Sequence, residues 1–131
     1  MSELNRDFQG RDRLLFGQTI SWKKEGGGNR HFRGVSVATL KQLVAHNYAD
    51  PDGSQNLSPT LGQFIAFLEE FPYVEAHGYA VSPLREDYRV TVEGLEYSAP
   101  VSQQLRRKFE EMNGRADELI CSDERLFCWY D

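Results

Sequence analysis

The densest group of side chains able to do chemistry lies between Lys23 and Arg33. Lys23 and Lys24 precede three consecutive glycines, Gly26 to Gly28, and Arg30, His31 and Arg33 follow them. Glycine lets backbone N–H groups approach a phosphate, and two guanidiniums can clamp the anion. The spacing matches neither the P-loop nor the dinucleotide fingerprint. A flexible hairpin tip accounts for the same residues without a ligand. Arg85 and Arg89 flank a second turn. Glu86 and Asp87 stand between them and offer local ion pairs, each worth little at a surface. Lys23, Lys24, Arg30, His31, Arg33, Arg85 and Arg89 are the candidate binding residues.

Other groups fail the test of spacing. Asp50-Pro51-Asp52-Gly53 begins like a calcium loop, but such a loop needs Gly at its sixth position and Glu at its twelfth. Those positions hold Gln55 and Leu61, so a helix-terminating turn is the expectation. His31, His46 and His77 are scattered, and no metal-ligand spacing occurs. His77 has Glu75 two residues away on one strand face, with Asp87 or Tyr88 expected opposite, which would make an acid–base pair. No Ser or Cys lies in a nucleophile motif. No catalytic residue, cofactor or metal is therefore assigned.

Cys121 and Cys128 are too far apart in sequence for a CxxC motif and too few for a disulfide framework. A tail hairpin with its loop at 123–126 would set Cys121 opposite Cys128, with Cβ atoms about 4.5–5.5 Å apart. That is wide for an unstrained disulfide. Free thiols are expected.

The chain has 131 residues and a net charge of -5, which suits one domain, residues 1–131, with its own core. Residues 1–34 carry a net +3, residues 35–100 a net -6 and residues 101–131 a net -2. An acidic middle repels phosphate backbones. Mean hydropathy is -0.58, and no apolar run approaches the roughly 20 residues that span a bilayer. The charged start lacks a secretory pattern, so a cytoplasmic location without membrane attachment is expected.

The elements that must position these residues follow from periodicity. Residues 1–11 read as a loose arm. Phe16, Ile20 and Trp22 share one parity and predict a strand within 13–24. The segment from Glu25 to Arg33 then reads as a mobile loop. Ser36 caps a helix reaching Tyr48, with Val37, Leu40 and Val44 on one face. Ser58 and Pro59 start a second helix bearing Leu61, Phe64, Ile65, Leu68 and Phe71. Tyr73–Val81 and Tyr88–Val92 predict a hairpin. A third helix begins near Ala99 or Pro100, carries Val101, Leu105, Phe109 and Met112, and stops at Asn113-Gly114. Two short strands close the chain. The fold class is α+β, with three helices, a small mostly antiparallel sheet and the order β-α-α-β-β-α-β-β.

Residues 36–109, taken as helix, turn, helix, two-stranded wing and helix, resemble a winged-helix domain. His77-Gly78-Tyr79-Ala80-Val81 and Tyr88-Arg89-Val90-Thr91-Val92-Glu93-Gly94 are similar to the wing of bacterial regulators, where a Y-x-x-T-x-x-G run precedes the next helix. The resemblance implies a second helix that reads the major groove with Arg, Lys, Asn or Gln. Here that helix has no Lys or Arg, offers Gln63, and ends in Glu69-Glu70. The expected function is a non-catalytic binding module acting through contacts with another protein. The alternative is a DNA-binding regulator using the N-terminal basic loop and Arg106-Arg107-Lys108.

Overall fold

Three hydroxyl side chains decide where the later helices start. Ser36, Thr60 and Ser102 each accept a hydrogen bond from the backbone N–H three residues on, which satisfies one of the orphan donors of a first turn. Thr60 and Gln63 complete a reciprocal capping box. The computed structural model describes residues 3–26 and 28–131. The elements are α1 (Phe8–Phe16), β1 (Asn29–Val35), α2 (Val37–Ala45), α3 (Leu61–Glu70), β2 (Glu75–Val81), β3 (Val90–Tyr97), α4 (Gln103–Met112), β4 (Glu118–Cys121) and β5 (Leu126–Trp129). The class is mixed α+β, as the sequence implies. The order gains a helix at its start, and the described residues hold four helices rather than three.

The five strands form one antiparallel sheet in the order β1-β2-β3-β5-β4. Alternate residues Phe32, Ala76, Ala80, Leu95, Leu126 and Cys128 join the helices in one core. On α3, Leu61, Phe64, Phe67 and Leu68 are buried, and Phe71 follows them into the core. Ile65 is only half-buried. The opposite sheet face carries His31, Tyr79, Phe127 and Trp129. Gly78 lies at a close approach of the strands, since a Cβ there would run into the Thr91 carbonyl and stand 2.9 Å from the Phe32 ring. The expected hairpin is the middle of the sheet, with β3 longer than its periodicity suggests.

The N-terminal third corrects the sequence reading most. Residues 13–24 are not a strand. Asp7 caps α1, which ends at Gly17 in the left-handed region with φ 73°, where Gly has no Cβ penalty. Ile20 and Trp22 are both buried but lie in irregular chain. Residues 3–11 are no loose arm. The Asn47 amide donates to the Glu3 carbonyl at 2.7 Å and Tyr88 donates to the Asn5 carbonyl at 2.8 Å. Within the expected mobile loop, Asn29 to Arg33 form most of β1, while Gly27 lies outside the described residues.

Smaller corrections concern ends and register. The second helix starts after Thr60 rather than Ser58, and the last after Ser102 rather than Ala99 or Pro100. The first of the three expected helices stops at Ala45, short of Tyr48. In the tail, Ser122 to Arg125 form the turn, which sets Cys121 opposite Leu126 and Leu119 opposite Cys128. Both thiols are free. Burial holds the Cys128 thiol up at about 12 and raises that of Cys121.

Candidate functional site: an open strand edge in a cleft

Hydrogen bonding along β3 is uneven. The Val81 N–H donates to the Arg89 carbonyl at 2.8 Å. Antiparallel ladders alternate, and the register is Ala80↔Val90, Tyr79↔Thr91 and Gly78↔Val92. The backbone groups of Thr91 therefore face β2, while those of Val90 and Val92 face the other way. On that other side β5 pairs at Glu96↔Phe127 and Tyr97↔Leu126. Its last backbone contact is Tyr130 N–H donating to the Glu93 carbonyl at 2.9 Å. A register irregularity near His77 and Gly78 places Glu93 as an extra residue, so its carbonyl can turn toward β5. Beyond it no strand flanks Val90 to Val92 among the described residues.

That edge opens onto a cleft of about 860 Å³ lined by Arg89, Val90, Thr91 and Val92. The volume falls in the range of ligand-sized sites. Leu61 and Phe64 of α3 form its apolar floor, with Leu4 and Pro59 beside them. Its far wall is the segment Asp50–Pro59, which is heavily self-bonded. The Gly53 N–H donates to the Asp50 carbonyl at 3.0 Å, and the Gly53 and Pro51 carbonyls accept from Leu61 and Gly62 at 2.9 and 2.8 Å. Gln55 N–H donates to Ser58 Oγ at 2.9 Å. The wall is thus fixed to the start of α3 at a set distance from the open edge.

Gln55 ties this wall to the sheet. Its Nε2 donates to the Tyr130 carbonyl at 2.7 Å, and its Oε1 accepts from the Tyr79 hydroxyl at 2.9 Å. Arg89 donates to the same Tyr79 oxygen at 3.0 Å, to Thr91 Oγ1 at 3.1 Å and to the Asp87 carboxylate at 3.1 Å. Burial works against the charge of Arg89, but the bonds to Tyr79 and Asp87 outweigh it and raise its pKa. The hydrogen bond from Arg85 leads the effects holding the Asp87 carboxyl below its usual range. This polar rim is connected from Arg85 to the end of β5, so few of its donors are left to reorganise.

The structure separates the seven sequence-derived candidates. Arg89 lines the cleft. Arg85 supports it through Asp87, with bonds of 2.8 and 2.9 Å. His31 shares the sheet face of Tyr79, with Nδ1 at 3.4 Å from Glu93. Arg33 makes a two-pronged contact with Glu96 on that face. Arg30 pairs with Glu25 and lies over the Phe16 ring. Lys23 and Lys24 are exposed in the turn after Trp22, and Trp22 itself is 4% exposed. They do not converge on one anion site. His77 faces Gly94 rather than Asp87 or Tyr88. It bonds to the Cys128 carbonyl at 2.9 Å and stacks on Phe127, and burial lowers its pKa. Gln55, Tyr79, Val90 and Val92 were not singled out by the sequence. The Tyr79 and Val90 positions lay inside the wing-like motif, but their role depends on where β5 ends.

Among the described residues no three His, Cys, Asp or Glu side chains are grouped as a metal would need. No described helix is long and apolar enough to cross a membrane. No protein-family model, no curated protein and no solved structure matches this chain.

Proposed function

We propose that this protein is a non-catalytic binding module that takes an extended segment of a partner protein as an added strand along Val90–Val92. The reading rests on one observation. By the register, the N–H and C=O groups of Val90 and Val92 face a preformed cleft, and no strand among the described residues pairs with them there. Peptide addition to a free edge supplies such partners, and pockets for alternate side chains supply selectivity.

The outer edges of the sheet are guarded in the ways natural proteins use. β1 has an irregular register near Gly34, whose φ is 66°, and carries the charged residues Arg30 and Arg33. β4 is only four residues long. The edge of β3 at Val90–Val92 instead lines a cleft opposite the Asp50–Pro59 segment, a setting that suits one added strand rather than a second sheet.

Four backbone bonds at about 1 kcal/mol each would give only millimolar binding. One apolar side chain buried on Leu61 and Phe64 adds about 1.5–3 kcal/mol. Affinity is then expected at roughly 10–100 micromolar for a short peptide. A protein partner is also supported over duplex DNA by the pairing of the basic residues. Arg30, Arg33, Arg89, Arg106 and Lys108 all meet carboxylates, and α3 carries no Lys or Arg.

A library of free hexapeptides with a fluorescent label tests the reading by polarisation. Peptides are expected to bind, and N-methylation of alternate amides should abolish binding in one phase and spare it in the other. Equal tolerance of methyl groups in both phases would remove strand addition as the mode.

A further inference from the structure

We infer that the segment accepted by this cleft carries a lysine or arginine next to an apolar residue. The inference rests on the strand-addition reading and adds the chemistry of the occupant. In an extended segment neighbouring side chains point to opposite faces. One that descends onto Leu61, Phe64 and Val92 leaves its neighbour directed away from the floor, toward the mouth of the cleft.

The rim is acidic. Glu3, Asp50 and Asp52 line the cleft, and all three are exposed. Arg89 is the single cation among the described lining residues. Its guanidinium is already committed to Asp87, Tyr79 and Thr91. Asp87 is shared with Arg85, so that group keeps one positive charge against the three carboxylates, and the mouth stays net negative. An acidic or phosphorylated segment would meet like charge on entry, whereas a cationic side chain would be drawn in and held.

The fixed geometry of the wall makes this a built feature. Asp50 Oδ1 accepts from the Asp52 N–H at 2.9 Å, which locks the turn that presents both carboxylates. The Asp50–Pro51–Asp52–Gly53 turn that resembles a broken calcium loop thus has a use that needs no metal. It follows α2 at a distance of a few residues and puts two negative charges opposite an open strand.

Positional scanning of hexapeptides by polarisation, at low salt, provides the test. Lys or Arg should be selected at one position, with an apolar residue preferred beside it. The double variant Asp50→Asn with Asp52→Asn keeps the Oδ1 acceptor of the turn, so folding should hold. It should weaken the selected basic peptide about three- to tenfold, the scale of two exposed ion pairs. The same peptide with norleucine in place of its basic residue should bind both proteins alike. Asp52→Asn alone, a side chain outside the turn's own hydrogen bond, should give part of the loss if the double variant is unstable. Selection without basic preference, or equal affinity of the basic peptide for wild type and both variants, overturns the inference and leaves strand addition standing. Failure of every hexapeptide to bind overturns both.

Discussion

Asp12→Ala is expected to destabilise the protein by about 3–5 kcal/mol, the cost of leaving a buried charge without its partner. Arg11 and Asp12 are both 0% exposed. The Arg11 guanidinium lies 2.9 Å from Asp12 Oδ1 through Nη2, and donates to it from Nε at 3.0 Å. Nη1 donates to the Val81 carbonyl at 2.8 Å, and Trp22 Nε1 donates to Asp12 Oδ2 at 2.7 Å. The guanidinium stands 4.6 Å from the Tyr88 ring centroid and 5.3 Å from that of Trp22. One pair thereby fastens α1, the irregular chain around Trp22 and the end of β2. Urea unfolding of Asp12→Ala reads the loss as a lower midpoint with an unchanged slope. Arg11→Met combined with Asp12→Asn removes both charges and keeps an acceptor for Trp22. It should cost less than the sum of the two single changes, because the orphaned charge is the main penalty. Additive losses would show that the two side chains contribute independently.

Phe64→Ala should cost about 3–5 kcal/mol, as truncating a buried Phe does. Phe64 is 1% exposed and meets the Tyr130 ring edge-on at 6.4 Å between centroids. It reaches both the core and the cleft floor, so its removal also widens the cleft. Ile65, half-buried on the same helix, should lose about 1–2 kcal/mol on truncation to Ala, in proportion to the smaller apolar area it hides. Equal losses at the two positions would mean that the floor of the cleft is not part of the core.

The contrast between these two sites shows what sequence patterning can reveal. Around Phe64 the apolar spacing of α3 is regular, opened by a polar cap at Thr60 and stopped before Pro72, and apart from Ile65 its stripe is the buried stripe. The hydroxyl cap Ser36 acts locally and marked the start of α2, while α4 was legible from its apolar stripe and its cap, Ser102, lies two to three residues past the expected start. Around Arg11 the pattern misleads, because two of the three buried side chains of α1 are charged. Polar burial satisfied by a distant Trp22 and Val81 leaves no period to detect. Ile20 and Trp22 then imitate a strand, since both point inward from irregular chain.

The candidate site was hidden for a different reason. Val90 and Val92 alternate as any strand does, and nothing near them in sequence marks an open edge. The opening arises because β5 reaches Glu93 and no further, and because Gln55, from a segment 75 residues earlier than Tyr130, holds the wall in place. Both are matters of register and long-range contact. The charge of the Asp50–Gly53 turn was visible, but its direction toward the cleft was not.

Amide hydrogen exchange at Val90, Thr91 and Val92 tests the open edge most directly. In the free protein Val90 and Val92 should exchange on the order of a hundredfold faster than Thr91, whose N–H faces β2. Addition of a peptide selected from the hexapeptide library should slow Val90 and Val92 and leave Thr91 unchanged. Protection of all three amides to the same degree before any peptide is added would contradict an open edge. Peptide binding that leaves Val90 and Val92 exchanging as fast as before would contradict strand addition.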